Sequence, residues 1–328
     1  MKISNRLLRQ LCTVFPLVLC ASIAGAALAQ SYPNKSIRII VPAPPGGSTD
    51  VSARIVGLRL GAAFKQPVII DNRGGSAGNI AAELAAKAAP DGYTLLWTPP
   101  SLAINASLYR KLSYDFVKDF APITQVTAQA YLFLSFPFLP AKTVKEFIAL
   151  AKSKKGGITY SSGGMGQAGH LGMELLKTLA GFDAVHVPYK GAAPAIIDLI
   201  AGHVDASIVS MPSGLTHVRS GKVKALAVTS IKRSFLLPDV PTVAEAGIPG
   251  YEVNGWQGLL APAGTPREVV TKLYEEISRS LKLPDVRDRL AADGADPVGT
   301  TPEEFASYIK AEIIKWEKVI KQSGARAD

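Results

Sequence analysis

Two glycine-rich segments hold the residues best able to do chemistry. The first reads Pro42-Ala43-Pro44-Pro45-Gly46-Gly47-Ser48-Thr49-Asp50. Its prolines stiffen the chain, its glycines permit positive φ and close backbone approach, and Ser, Thr or Asp can cap a following helix. A helix start presents free N–H groups and a partial positive charge, which suits a carboxylate or phosphate. The second reads Ser161-Ser162-Gly163-Gly164-Met165-Gly166-Gln167-Ala168-Gly169-His170. It contains Gly164-x-Gly166-x-x-Gly169, a dinucleotide-type spacing, with Asp183 nineteen residues after Gly164. Asp183 precedes the next apolar strand where a ribose-binding acid should end it, so the segment reads instead as a second anion-accepting loop. A third turn, Asn72-Arg73-Gly74-Gly75-Ser76-Ala77-Gly78, can add donors beside the first, with Ser76 among them. Arg73 is either a ligand group or a surface ion-pair partner.

Other chemistry is thin. His170, His186, His203 and His217 include no pair at metal-ligand spacing. His170 and Glu174 lie one helical turn apart but have no third ligand. No Gly-x-Ser-x-Gly elbow is present, and His186, in an apolar strand, reads as structural. Both cysteines, Cys12 and Cys20, precede residue 30. No catalytic residues, metal or cofactor are expected.

The elements that must position these loops alternate in type. Strands are expected at 36–42, 67–71, 93–98, 158–161, 184–188, 206–210, 224–229 and 255–261. Helices are expected at 50–65, 78–89, 144–155, 170–180, 193–201 and 213–220, each filling a gap between strands. That rhythm implies βαβ units, mostly parallel sheets and an α/β fold. The C-terminal part is nearly all helix, at 266–283, 286–293 and 302–322. In the last of these, Phe305, Ile309, Ile313, Trp316 and Ile320 fall at helical spacing and should pack on a core. Lys310, Lys315, Lys318 and Lys321 should form its solvated face. About 300 residues exceed one ordinary core, so two domains are expected, with crossing strands in place of a linker.

The N-terminus reads as an export signal. Lys2, Arg6 and Arg9 form a positive start, residues 11–24 are apolar, and Ala27-Leu28-Ala29 is a small-x-small cleavage site. Cleavage after Ala29 removes residues 1–29 and both cysteines, so the mature chain has no disulfide or thiol chemistry. It also removes three basic residues, taking the net charge from +10 to +7. With three Trp and no basic run interleaved with aromatics, nucleic acid is not an expected partner. The milder reading is a positive field that gathers anionic solutes.

Longer motifs carry a resemblance. They include Tyr32-Pro33-Asn34-Lys35, the 44–50 loop, Asp71-Asn72-Arg73 and Pro90-Asp91-Gly92-Tyr93-Thr94-Leu95-Leu96. They continue through His186-Val187-Pro188-Tyr189-Lys190-Gly191, residues 225–230, Leu237-Pro238-Asp239-Val240-Pro241-Thr242, residues 261–266 and Thr301-Pro302-Glu303-Glu304-Phe305. In this order, over nearly the whole chain, they resemble the Bug family, the periplasmic solute-binding proteins of tripartite tricarboxylate transporters. The resemblance implies an α/β, type II-like periplasmic-binding-protein fold with two doubly wound lobes joined by two crossing segments. One lobe would hold 31–128 and 251–328, the other 129–250. It also implies a small carboxylate ligand (a di- or tricarboxylate, amino acid or aromatic acid), gripped partly through ordered water. Membrane transporter subunits would be partners of a monomeric receptor.

Carried over by position, Gly46, Gly47, Ser48, Thr49 and Asp50 contact the ligand from one lobe. Ser161, Ser162, Gly163, Gly164 and Gln167 do so from the other, and Ser101, Tyr189, Ser210 and Trp256 line the site. The chain departs from the family at 72–77, where Asn-Arg-Pro-Gly-Ala-Gly is usual, and at Ser210, where many members carry an Asp or Asn able to read an amino group. That departure disfavours an amino-acid ligand. The competing readings are an exported enzyme using an anionic cofactor and a ligand sensor for a signalling kinase.

Overall fold

A strand paired on both edges and covered on both faces must be apolar along its length. Residues 36–42 and 93–98 meet that condition and form β1 (Ile37–Val41) and β3 (Thr94–Thr98), which are buried almost throughout. Edge positions relax it: β2 (Val68–Asn72) and β6 (Ala184–Pro188) leave Ile69 and Val185 exposed. The structure is a computed structural model that describes residues 32–326. The export signal and its cleavage site lie outside the described residues.

Ten strands form one curled sheet, ordered β2-β1-β3-β9-β4-β7-β5-β6, with β8 and β10 also paired to β4. The remaining strands are β4 (Phe120–Ser135), β5 (Ile158–Ser162), β7 (Ala206–Ser210), β8 (Lys224–Val228), β9 (Asn254–Pro262) and β10 (Asp296–Pro297). Pairing is parallel within β2-β1-β3 and within β7-β5-β6. Around β4 and β9 it is antiparallel, so the sheet is mixed where the βαβ rhythm implied mostly parallel. The reason is the sixteen-residue β4, which pairs β9 along its first part and β7 and β8 along its last.

Ten α-helices fill the connections among the described residues. They are α1 (Ser48–Phe64), α2 (Asn79–Ala86), α3 (Pro100–Leu108), α4 (Val144–Ser153), α5 (Ala168–Ala180), α6 (Ala192–Ala201) and α7 (Met211–Arg219), then α8 (Arg267–Ser280), α9 (Pro284–Ala292) and α10 (Pro302–Ser323). Two of the apolar cores among the described residues lie towards opposite ends of β4. One gathers Ile40, Leu96, Leu102, Trp256 and Phe305, the other Phe133, Phe147, Tyr160, Leu171 and Tyr251. Helix α10 contributes to both. Its lysines do not all face solvent as expected: Lys315 is half-buried against the buried Glu312.

Candidate functional site

The C-terminal ends of β1, β3, β5 and β7 all turn into helices around one cleft of about 360 Å³. Ligands of open α/β sheets bind in that position, outside the carboxyl ends of strands. Its walls include Ser48 and Thr49 at the start of α1, Gly78 capping α2, and Pro100 and Ser101 opening α3. Opposite stand Ala168 and Gly169 of α5, Ala192 of α6 and Ser210 capping α7. None of these six helices has a side-chain hydrogen bond at its cap, whereas α4 and α10 are capped by Thr143 and Thr301. Apart from prolines such as Pro100 and Pro212, which carry no N–H, their first-turn residues therefore keep hydrogen-bonding capacity for a ligand. Among the described residues, no Asp, Glu, Lys, Arg or His lines the cleft. An anion there meets helix ends, hydroxyls and amides rather than a cation.

Seven of the expected residues border the cleft: Ser48, Thr49, Ser101, Gly163, Gln167, Ser210 and Trp256. The others stand behind it. Gly46 takes φ +89, a conformation glycine tolerates, while Gly47 is extended at φ −79 and caps α1 with its backbone alone. The expected side-chain cap is absent because the helix starts at Ser48, which leaves Gly47 at the cap position, and the Asp50 carboxylate of the first turn folds back. It accepts from Gly46 N–H, Arg54 Nε and Asn72 Nδ2, each at 2.9 Å. Burial would raise the Asp50 pKa, but those bonds outweigh it and hold the carboxyl below its ordinary value. Asn72 also donates to Ala43 O at 3.0 Å, tying the third turn to the first.

In that third turn it is Gly75, Ala77 and Gly78, more than Ser76, that reach the cleft. Ser76 and Ala77 both hold positive φ, of 47° and 53°. Such geometry costs about 1–3 kcal/mol per residue and survives only where surroundings enforce it. Here Asn105 Nδ2 donates to Ala77 O at 3.1 Å and to Asn79 Oδ1 at 2.8 Å.

Behind the second loop, Ser161 and Ser162 are fully buried. Ser161 Oγ donates to Ala195 O at 3.2 Å. Ser162 Oγ shares a 2.7 Å hydrogen bond with His186 Nε2 and accepts from Gly164 N–H at 3.2 Å. His170 Nδ1 accepts from Gly166 N–H at 3.1 Å, and its ring stacks on His186 with centroids 4.0 Å apart. Burial first, then Lys177, pushes His170 down to about 4; burial first, then His170, does the same to His186. The suspected His170–Glu174 pair is no metal site, since Glu174 accepts from Tyr160 Oη at 2.6 Å and pairs with Lys177. The spacing of Gly166 and Gly169 reflects packing. A Cβ on Gly166 would meet Leu108 at 2.2 Å, and one on Gly169 would meet Ile208 O at 2.3 Å. Tyr189 is turned away and donates to Asp198.

Sequence reasoning missed the floor, where Gln129 and Tyr131 of β4 lie beside Gly255 and Gln257 of β9. Burial, with Glu312 nearby, pushes the Tyr131 phenol up to about 12, so it stays neutral. The alternation Gln125-x-Thr127-x-Gln129-x-Tyr131 was the available signal. Trp256 borders the cleft, but its ring is buried edge-on against Phe305 and Tyr308.

Comparison with known proteins identifies the family. The family described as tripartite tricarboxylate transporter family receptor matches residues 52–325. Protein BugT of Bordetella pertussis is 37% identical over 320 residues, 97% of this chain and 98% of its own. The Rhodopseudomonas palustris protein Rpa4515, solved with adipate, is 37% identical with a TM-score of 0.78, over 90% of this chain and 99% of that one. The periplasmic binding protein BugD is 32% identical with a TM-score of 0.74, over 90% and 99%. With family and fold in agreement, the chain belongs to the tripartite tricarboxylate transporter receptors, the Bug-type periplasmic solute-binding proteins, and is not an enzyme.

Proposed function

We propose that this receptor captures a small carboxylate between two lobes, 31–128 with 251–328 and 129–250, and delivers it to the membrane subunits of a tripartite transporter. The observation that carries the ligand class is the cleft bordered by six helix N-termini and, among the described residues, by no charged side chain. Each N-terminus favours an anion through its dipole and free N–H groups. Charge-assisted bonds of that kind contribute about 1.5–3 kcal/mol each. An ammonium group would find no carboxylate there, which disfavours amino acids, and a sugar would leave the dipoles unused. The adipate held by the relative Rpa4515 supports the same class.

In this reading Ser48, Thr49 and Ser101 approach the ligand from one lobe, and Gly163, Gln167 and Ser210 from the other. Gly46, Gly47, Asp50, Ser76, Ser161, Ser162 and Gly164 shape the loops behind them. Contacts from both walls exist together only when the lobes meet, so the ligand favours the closed form. Both walls come from one chain, so a monomer suffices. Export proceeds by cleavage after Ala29.

A thermal-shift screen tests the ligand class, because a ligand of the folded state raises its melting temperature. Carboxylates should stabilise the protein. Stabilisation by sugars or polyamines, with carboxylates silent, would overturn the assignment.

A further inference from the structure

Helix α10 carries a carboxylate in the middle of its apolar stripe. Phe305, Ile309, Glu312, Trp316 and Val319 are all buried at helical spacing. A charge in such a place is costly unless it is paired and hydrogen-bonded, and Glu312 is both. Trp256 Nε1 donates to its Oε2 at 3.1 Å, Trp316 Nε1 donates to the same oxygen at 3.0 Å, and Lys315 pairs with Oε1. Lys315 also lies 4.8 Å over the Trp316 ring.

The two indoles belong to different cores. Trp256 lies edge-on to Phe305 in the core that holds Ile40 and Leu96, and Trp316 lies in the core that holds Tyr160, Leu171 and Ile208. Trp256 also sits on β9 between Gly255 and Gln257, which border the cleft. One carboxylate oxygen thus joins the strand at the cleft floor to a helix that enters both cores.

We propose that Glu312 is a positioning residue for ligand capture. It touches no ligand; it fixes β9 at Trp256 against α10 at the point where the helix passes from one core to the other. Helix α10 is then a third tie between the two halves of the sheet, beside β4 and the chain entering β9. Relative movement of the halves pivots about this shared oxygen, which keeps the floor in register with the loops. The inference rests on the cleft being the ligand site.

The test uses the intact exported chain, with adipate, malate and benzoate as calorimetric probes and the indole Nε1–H resonances as a spectroscopic readout. Glu312→Leu should fold, shift the Trp256 and Trp316 resonances, and bind about tenfold more weakly the probe that wild type prefers. Glu312→Gln combined with Lys315→Met keeps an acceptor for both indoles and leaves no unpaired ammonium. It should return affinity to within about threefold of wild type. If the leucine variant does not fold, Glu312→Asp, which withdraws the oxygen by one methylene, should show the same loss. Wild-type affinity in the leucine or aspartate variant overturns the proposal, as does a glutamine–methionine variant no tighter than the leucine one. A wild type that binds none of the probes overturns the carboxylate reading and takes this inference with it.

Discussion

At the first loop a carboxylate gathers the chain: Asp50 accepts from Gly46 N–H, Arg54 and Asn72. At the second loop neutral imidazoles do the corresponding work, with His170 accepting from Gly166 N–H and His186 holding Ser162. The loops also differ in freedom. A Cβ on Gly46 or Gly47 would meet nothing within 4 Å, while one on Gly169 would strike Ile208 O at 2.3 Å. Similar glycine content therefore hides two designs. The first loop is an open turn anchored by charge. The second is a tight backbone approach of α5 to β7, anchored by neutral rings.

That contrast is broken most forcefully at Gly169. Gly169→Val places side-chain atoms against a strand carbonyl that cannot yield without moving β7. The expected loss is about 3 kcal/mol or more in urea unfolding, at the upper end for overpacking. Gly47→Val, at ordinary φ in open space, should cost little. Equal stability of the two variants would show that the second loop is not pinned by close approach.

Acid should separate the loops next. His170 and His186 are held near pKa 4 in the folded chain, against an ordinary value of 6.5. The groups facing them are Tyr160, Ser162, Glu174 and Lys177. A depressed imidazole pKa gives stability that is present above 6.5 and lost as pH falls towards 4, because the unfolded chain takes up protons the folded one refuses. Asp50 behaves as a depressed carboxylate, so its contribution is kept down to its ordinary 3.8 and lost only below. Between pH 6.5 and 4 the second loop should loosen alone, with stability falling by about 3 kcal/mol for the buried His170 and by less for the partly exposed His186, roughly 4–6 kcal/mol in all. Melting temperatures of wild type and a His170→Gln/His186→Gln variant check this; parallel pH curves would contradict it.

The same contrast explains what could be read without coordinates. Short strands such as 36–42 and 93–98 announced themselves because burial on both faces leaves only apolar residues. No strand or helix is legible over 99–143, although it holds β4, the longest strand among the described residues. Buried Thr124, Gln125, Thr127 and Gln129 interrupt its apolar pattern, and register shifts between 122 and 124 and between 125 and 127 break its period of two. The loops were legible through glycine and helix-cap chemistry, and so were Ser48, Thr49 and Gln167 at the cleft. Which loop residues face the cleft was not, because Asp50, Ser162 and Tyr189 are turned inward by partners 9 to 24 residues away in sequence or held by a folded-back loop. Such pairings exist only in three dimensions.

The gentlest way to sharpen the comparison is Gly47→Ser. Gly47 caps α1 at φ −79 and ψ 165, a conformation serine adopts freely, and no side chain now satisfies the first helical N–H groups. A serine hydroxyl there would accept from one of them, as Thr143 and Thr301 do for α4 and α10. Serine in place of glycine at such a cap should raise stability by only about a few tenths of a kcal/mol. The same bond would occupy a donor that the proposed anion needs, so affinity should fall by roughly three- to tenfold. Thermal melts without ligand, set beside calorimetric titration with adipate, separate the two effects. Opposite signs are expected: slightly more stable, more weakly binding. If serine leaves affinity unchanged, the α1 N-terminus is not the first loop's contribution to the site, and Ser48 and Thr49 must act through their hydroxyls alone.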